Sequence, residues 1–411
     1  MPQRHKRILK GRLFMSRAVG TVVRGLRAPI IKENDDLAGI VVDTVLNAAK
    51  EDGYEVCDHD VVTVTESILA RAQGNFAELE AVVKDIQRQT KSETIGIVNP
   101  ILSRNRFYAI LKGIAMSAKK IVIQLSYPSD EVGNRLISRD ELEASGLNPY
   151  TDILTEAEFR SHFPNLAHEF TGEDYVALYK KCVEETGAEC EIIFANHPQI
   201  ILDYVDTVVI ADIHDRKYTR RTLEKHGAKE IIGLDQILNQ SIDGSGYNED
   251  FGLLGANLSG NNSLKLFPRD AQAFVEDVQK RLLEATGKAV EVMVYGDGAF
   301  QDPVGHIWEL ADPVVSPGFT KGLSGTPDEI KIKYVADNQF GDLSGEELTK
   351  AMRAYIKDHD KIDEAGHNTS LGTTPRNITD LVGSLSDLTS GSGDKGTPFT
   401  YIQGYFDKYS D

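Results

Sequence analysis

The alternation of short Val- and Ile-rich runs with helix-like segments is the feature that most constrains the fold of this chain. Residues 60–65, 95–98 and 120–125 have the β-branched composition of strands. Residues 78–90 separate the first two runs and have apolar positions at helical spacing. Strands separated by helices predict an α/β (mixed α+β) fold.

The same alternation continues at 175–233 and predicts a Rossmann-like βαβ subdomain. Strands are predicted at 190–195, 207–211 and 230–233. A helical pattern at 175–186 precedes the first strand, and another at 218–226 lies between the second and the third. Before this unit, the Gly, Pro, Asp and Glu content of residues 127–164 predicts a loop-rich stretch.

The charge of the chain excludes some classes of partner. The chain has 411 residues, with 45 Lys and Arg against 63 Asp and Glu, and a formal net charge of −18. We therefore expect no non-specific binding to nucleic acid or to anionic membranes, because both need a basic surface. The basic residues are concentrated in residues 1–32, where no acidic residue occurs. This arm either pairs with the acidic body or forms an anion-binding edge.

Cysteine content and hydropathy bear on the compartment. The 3 cysteines form no CxxC pattern, which favours a reducing compartment without disulfides or a zinc site. No apolar run approaches the length of a membrane span, and the basic N-terminus lacks the apolar core of a signal peptide. We expect a cytoplasmic protein.

A Gly- and Asn-rich segment at 255–263 is the first candidate binding loop. Small residues allow the backbone to approach a ligand, and Asn side chains such as those of Asn257 and Asn261 both donate and accept hydrogen bonds. An ordinary polar glycine loop has the same composition.

A second candidate follows the predicted strand at 290–295. Asp297 lies between Gly296 and Gly298, which places a carboxylate where α/β sheets bind ligands and hard cations. Asp302 is either a second metal ligand or a turn residue. A simple Asp-Gly turn is the alternative for the whole segment.

A third candidate lies between a predicted strand and a helix, at Asp212, His214, Asp215 and Arg216. These side chains could ligate a metal, carry out acid–base chemistry or hold a phosphate. A metal-dependent phosphohydrolase is one hypothesis that follows. Alternatively, Asp215 is a helix N-cap and the arginines form a solvated face.

The fourth candidate is the glycine-rich loop at 390–396, which is either a phosphate-binding loop or a flexible polar loop. It does not have the G-x-x-x-x-G-K-[ST] pattern. No G-x-G-x-x-G after a strand, G-x-S-x-G or H-E-x-x-H motif occurs elsewhere.

Taken in order, several segments resemble the coenzyme F-420-0:L-glutamate ligase (gamma-glutamyl ligase) family. The segment at 60–75 is similar to that family's D-V-x-V-V-x-x-K-I-V-S-K-A-E-G-R, and Gly296-Asp297-Gly298 falls at its S-D-[TS] metal segment. The other similar segments are residues 27–37, 255–257 with 266–270, 336–345 and 379–398. The resemblance predicts a ligase-like body at 1–127 and 246–411, with an inserted α/β subdomain at 128–245.

The resemblance implies a ligase that uses GTP and joins L-glutamate, or another amino acid, to a carboxylate acceptor through an acyl phosphate. Its cofactors would be Mg²⁺ or Mn²⁺, with a monovalent cation as an additional expectation, and the protein would be a homodimer. Asp297 and Asn261 would be catalytic and, with Asp302, would bind metal. Residues of the third candidate would add ligands. The nucleotide-binding residues would be Pro29, Ile30, Arg71, Asn257, Gly391, Gly393, Asp394 and Gly396.

The sequence departs from the family pattern at several of these positions. Asn261 stands where the family has a metal-binding aspartate, Asn75 where it has a basic residue, and Ser392 where its final loop has an acid. Hard cations prefer anionic oxygen ligands. A non-catalytic member that binds a nucleotide or metabolite is therefore the alternative function.

Overall fold

The computed structural model describes most of the chain. The described residues are 19–104, 106–168, 172–260, 262–296, 299–301, 308–310, 315–327, 330–358, 376–391 and 393–408. Three predicted site residues, Asn261, Asp297 and Asp302, lie outside them.

The strands, in chain order, are β1 Val22–Leu26, β2 Val61–Thr65, β3 Phe76–Glu78, β4 Thr94–Val98, β5 Lys120–Leu125, β6 Leu154–Thr155, β7 Glu189–Phe194, β8 Thr207–Ile210, β9 Glu230–Gly233, β10 Asn257–Leu258, β11 Ser263–Lys265, β12 Glu291–Tyr295, β13 Ala299–Gln301, β14 Trp308–Leu310, β15 Gly318–Phe319 and β16 Phe399–Gln403. The α-helices are α1 Leu37–Asp52, α2 Glu66–Ala72, α3 Leu79–Gln89, α4 Phe107–Ala115, α5 Arg139–Ser145, α6 Glu156–His162, α7 Tyr175–Glu184, α8 Arg216–Lys225, α9 Ala271–Thr286, α10 Ile332–Gln339, α11 Gly345–Asp358 and α12 Ile378–Ser390.

A five-stranded sheet joins the two ends of the chain. Its order is β1-β16-β2-β12-β15, and β2 and β12 are its one parallel pair among the described strands. The valines of α1 and α9, among them Val41, Val45 and Val278, pack on one face. Val382 of α12 packs with Met293 on the other face. Burial of these β-branched side chains on both faces holds the sheet between helices.

A six-stranded sheet has the order β6-β7-β5-β4-β8-β9 and is parallel except for β6. From β4 onwards its five parallel strands stand in the order 3-2-1-4-5, which is that of a doubly wound sheet. Helices α3, α4 and α7 contribute to the core on one face, and α8 packs on the other. The mixed α/β fold class predicted from the sequence is confirmed.

Two strands of this sheet, β4 and β5, precede residue 128, where the sequence placed the start of an insertion. The predicted division into a body and an inserted subdomain therefore stays a prediction, although its N-terminal boundary falls within a continuous sheet.

The stretch at 127–164, expected to be loop-rich, contains α5, β6 and α6. Both helices begin with a capping box, in which Ser138 pairs with Glu141 and Thr155 pairs with Glu158. In each box the hydroxyl accepts from the backbone N–H at the third helical position, and the glutamate accepts from the N-cap N–H. The S/T-x-x-E pattern of these boxes indicates helices, although the turn residues give this stretch the composition of a loop.

A small sheet connects the two larger ones. The β10–β11 hairpin pairs with β3, which directly precedes α3 of the doubly wound unit. Among the described helices, none is both long and apolar enough to span a membrane.

Candidate active site

The carboxyl edge of the parallel β2–β12 pair is the centre of the candidate site. Thr65 pairs with Tyr295 at the last position of the two strands. The next residues are therefore neighbours across the sheet, which are Glu66 at the start of α2 and Gly296, whose N–H donates to the Val315 carbonyl. Asp297 follows Gly296 in the chain and lies outside the described residues, so its role stays a prediction.

A buried ion pair lies at this edge. The Lys265 ammonium of β11 is 3.0 Å from Glu66 Oε1, and the two side chains are only 9% and 3% exposed. Taking two charges out of water costs several kcal/mol per ion before their mutual attraction is counted. Such a pair is costly to break, because removing one partner leaves an uncompensated buried charge.

Asn257 lies across the hairpin from this pair. It opposes Lys265 in the β10–β11 register and is half-buried. The hairpin turns at 259–263, where the Ser259 N–H donates to the Ser263 carbonyl at 2.8 Å. Asn261 lies outside the described residues.

Buried hydrogen bonds from 73–75 fix the loops around the hairpin. The Asn75 side-chain amide donates to the Phe267 carbonyl at 2.8 Å, and its oxygen accepts from the Tyr247 N–H at 2.9 Å and from Arg269 Nη1. Gln73 both donates to the backbone carbonyl of Arg269 and accepts from its N–H. Asn75 is fully buried, so it has a structural role at the position where the family pattern has a basic residue.

The N-terminal segment and the C-terminal loop meet. The Ala28 N–H donates to the Gly396 carbonyl at 3.1 Å. An open groove of about 800 Å³ beside this contact is lined by Arg24, Arg27, Pro29 and Lys395, and also by Glu51 and Asp52 of α1.

Two glycines of the C-terminal loop have a left-handed backbone conformation, which favours glycine. Gly391 and Gly396 have φ angles of 62° and 64°, which residues with a Cβ rarely adopt. A Cβ on Gly391 would lie 2.6 Å from the Lys395 ammonium nitrogen, so the lysine folds back over the glycine. Gly393 and Asp394 form the exposed turn between them.

Arg71 contacts the N-terminal segment, to which Ile30 belongs. Arg71 Nε donates to the Ile31 carbonyl at 2.6 Å, which ties the end of α2 to the N-terminal segment. The Ile30 side chain is 82% exposed and fills no cavity.

The residues at 212–216 lie at a separate edge, after β8 of the doubly wound sheet. Asp212 is completely buried, whereas His214 and Asp215 are exposed. Asp215 is at the N-cap position of α8 but makes no side-chain capping hydrogen bond. The exposure of His214 argues against the phosphohydrolase hypothesis, because an exposed imidazole lacks the pocket that a catalytic base needs.

The structure links the third candidate to the first. Ala211, Ile213, Gly255 and Ala256 all line one small cavity of about 40 Å³. The loop after β8 and the loop before Asn257 therefore border the same cavity, although Asp212 itself does not line it.

Metal binding is not accounted for by the described residues alone. Within them, no group of three or more His, Cys, Asp and Glu side chains is placed to hold a metal ion. At the β2–β12 edge the described carboxylate is that of Glu66, which is engaged by Lys265.

Lys265 and Glu66 are not among the site residues predicted from the sequence. A signal for Lys265 was present, because it is the one charge within the run Leu264-Lys265-Leu266-Phe267. Its partner was not evident, since 199 positions separate the two residues along the chain.

The protein is of the mixed α/β class, and the carboxyl edge of a parallel strand pair is a position at which such proteins bind ligands. The family model that matches this chain, over residues 25–404, is described as F420-0:gamma-glutamyl ligase. The chain belongs to this family, and the family is one of ligase enzymes. Comparison with curated proteins finds no sequence that matches it.

Proposed function

We propose that this protein is a GTP- and divalent-metal-dependent ligase that joins L-glutamate, or another amino acid, to a carboxylate acceptor through an acyl phosphate. The observation that carries the proposal is the buried Lys265–Glu66 pair at the β2–β12 edge, and Asp297 follows the last residue of β12 by two positions in the chain. Family membership supplies the reaction class.

The reaction has two balanced steps. An acceptor carboxylate oxygen attacks the γ-phosphorus of GTP, the bond to the β-phosphate oxygen breaks, and GDP leaves. The amine of glutamate then attacks the acyl carbon, loses a proton and expels inorganic phosphate as the amide forms. Carboxylates are poor electrophiles, and phosphorylation gives the acyl carbon a leaving group.

In this proposal the chain's residues bind and orient the reactants. A fixed Lys265 charge would stabilise negative charge on phosphoryl oxygens at the sheet edge, because a cation in a dry site acts strongly on charge that develops nearby. Asn257, opposite Lys265, would orient a polar group by its side-chain amide. A divalent ion held by Asp297, with Asn261 and Asp302, would supply charge neutralisation at the phosphates.

The groove between the N-terminal segment and the C-terminal loop is the proposed nucleotide site. Arg24, Arg27 and Lys395 offer positive charge along it, while the exposed turn at Gly393 and Asp394 offers backbone N–H groups. Pro29 and Ile30 would form its rim, and Arg71 would fix that rim through Ile31. The basic N-terminal arm is consistent with an anion-binding edge here.

The test is turnover with the acceptor that the family's description names. Protein incubated with F420-0, GTP, Mn²⁺ and L-glutamate should release GDP and add one glutamyl residue, measured by mass spectrometry. Asp297→Asn should lower the rate at least about a hundredfold, because it removes an anionic metal ligand. Asp342→Asn, which neutralises an exposed carboxylate in the turn before α11, is the matched control and should retain the rate.

The outcomes separate this proposal from the alternative. Binding of GTP or GDP without turnover of F420-0 or of a panel of other carboxylates would favour the non-catalytic member suggested by Asn261. Absence of nucleotide binding at every metal concentration would contradict the ligase proposal and would leave, of the alternative, only a member that binds a metabolite.

A further inference from the structure

The loops at the carboxyl edge of the doubly wound sheet meet between β4 and β8, where the strand order reverses. In open α/β sheets this is the position at which ligands bind. A turn at 130–134, which follows β5, connects both loops. Asp130 Oδ2 accepts from the Leu102 N–H after β4, and Glu131 Oε1 accepts from the Ile213 N–H after β8, each at 3.1 Å.

Two carboxyl groups in this place have oxygens without partners. Asp212 is fully buried, and neither of its oxygens makes a hydrogen bond to a described residue. The second oxygen of Glu131, Oε2, is also buried and without a hydrogen-bond partner in the part of the chain that is described. A buried carboxylate without a partner is expensive, so such groups are paired or bind a cation in most proteins.

The surroundings supply little net positive charge. Asp212 is near the Thr219 hydroxyl, Asp215 and the Arg216 guanidinium, and the negative charge of Asp215 acts on Asp212 more strongly than the positive charge of Arg216. Arg216 also donates Nη1 to the Ile213 carbonyl. Around Glu131 the neighbouring charges are those of Asp212 and Asp130, both negative. The Asp130 carboxylate already accepts hydrogen bonds from Leu102, Val132 and Asn134.

We propose that Asp212 and Glu131 bind a hard divalent cation, of the Mg²⁺ or Mn²⁺ type, at the point where β4 and β8 diverge. The free donors there are carboxylate oxygens, which hard cations prefer, and the nearby imidazole of His214 is exposed. Two carboxylates with no third side-chain ligand among the described residues suit an ion that keeps several waters, as Mg²⁺ does. Partial exposure of Glu131 leaves a path for the ion.

The ion would link the loops after β5 and β8 at the sheet edge. This site is distinct from the proposed ligase site, which follows β2 and β12 in the other sheet. The two proposals therefore stand or fall separately.

The test uses Mn²⁺ alone as the probe, with free Mn²⁺ measured by electron paramagnetic resonance on the full chain. Every protein carries Asp297→Asn, so that Mn²⁺ at the proposed ligase site does not contribute. The background protein should bind one Mn²⁺ per chain. Adding Asp212→Asn or Glu131→Gln should weaken this binding at least tenfold, because either change removes an anionic ligand.

Asp215→Asn is the control, since it removes an exposed negative charge from the same loop without removing a proposed ligand. It should change the affinity less than threefold. Thermal unfolding with a chelator present checks that each variant folds, and Asp212→Asn should melt no lower than the background protein. Equal Mn²⁺ binding with and without Asp212, or no Mn²⁺ binding by the background protein, would overturn the proposal.

Discussion

At the scale of single residues, the buried Lys265–Glu66 pair is the most consequential contact of the candidate site. It joins β11 to the start of α2, and both side chains are almost fully removed from solvent. Removing one partner leaves the other charge buried and uncompensated, whereas replacing both with apolar groups does not.

We therefore expect Lys265→Met to destabilise the protein by about 3 kcal/mol in urea unfolding. Lys265→Met/Glu66→Leu should recover most of that loss because no buried charge remains. In the ligase assay the double variant should stay inactive, since the proposed role of Lys265 needs its charge. Full activity in the refolded double variant would show that the pair is structural only.

At the scale of elements, the packing of β4 depends on the absence of a side chain at Gly96. A Cβ there would lie 2.5 Å from Val205 Cγ2 and 2.7 Å from Ile201 Cγ1, both in the connection that precedes β8. The strand is central in its sheet and pairs with β5 and β8. Glycine at this position therefore sets how closely the connection lies on the sheet.

Gly96→Ala should destabilise the protein by about 1–3 kcal/mol, the cost of overpacking a core that cannot move away. Thermal unfolding followed by circular dichroism measures this loss. Gly133→Ala is an informative comparison, since that glycine has open space around it but a φ of 88°, so its cost comes from the backbone. If Gly96→Ala unfolded at the same temperature as the parent, the close packing would be contradicted.

At the scale of the whole molecule, buried carboxyl groups decide how stability depends on pH. Burial raises the pKa of Asp212 to about 7, although the neighbouring Thr219 hydroxyl lowers this pKa by a smaller amount. Burial also raises the pKa of Glu131 to about 7. Surface carboxyls such as Glu141 and Glu158 have lowered pKa values because the N-cap residues of their capping boxes hydrogen-bond to them. These surface carboxyls change the stability only at lower pH, because they are ionised in both the folded and the unfolded state above about pH 5.

A carboxyl with a raised pKa binds more protons in the folded state, so its contribution to stability is lost as pH rises from its unfolded value to its folded value. With chelator present, the free energy of unfolding should therefore fall between about pH 4 and pH 7. Asp212→Asn should reduce that fall by about 2 kcal/mol. Urea unfolding at each pH measures the difference, and parallel pH profiles for the two proteins would refute the raised pKa.

Much of the fold was predictable because its signals are local. The β-branched runs at β2, β4, β5, β8 and β12 and the helical spacing between them predicted strands and helices where they occur. The capping boxes of α5 and α6 are equally local signals, but the turn residues around them predicted a loop. The order of motifs also predicted the family, which the match over 25–404 confirms.

The arrangement of the sites was not predictable in the same way. Glu66 and Lys265 meet because β3 and β11 pair, and Glu131 meets the loop after β8 because β5 and β8 flank β4. The sequence by itself determined which segments form strands and helices, through periodicity and local hydrogen bonding. Only the tertiary structure decided which charges are buried together, because strand order and desolvation arise from packing between segments that are distant along the chain.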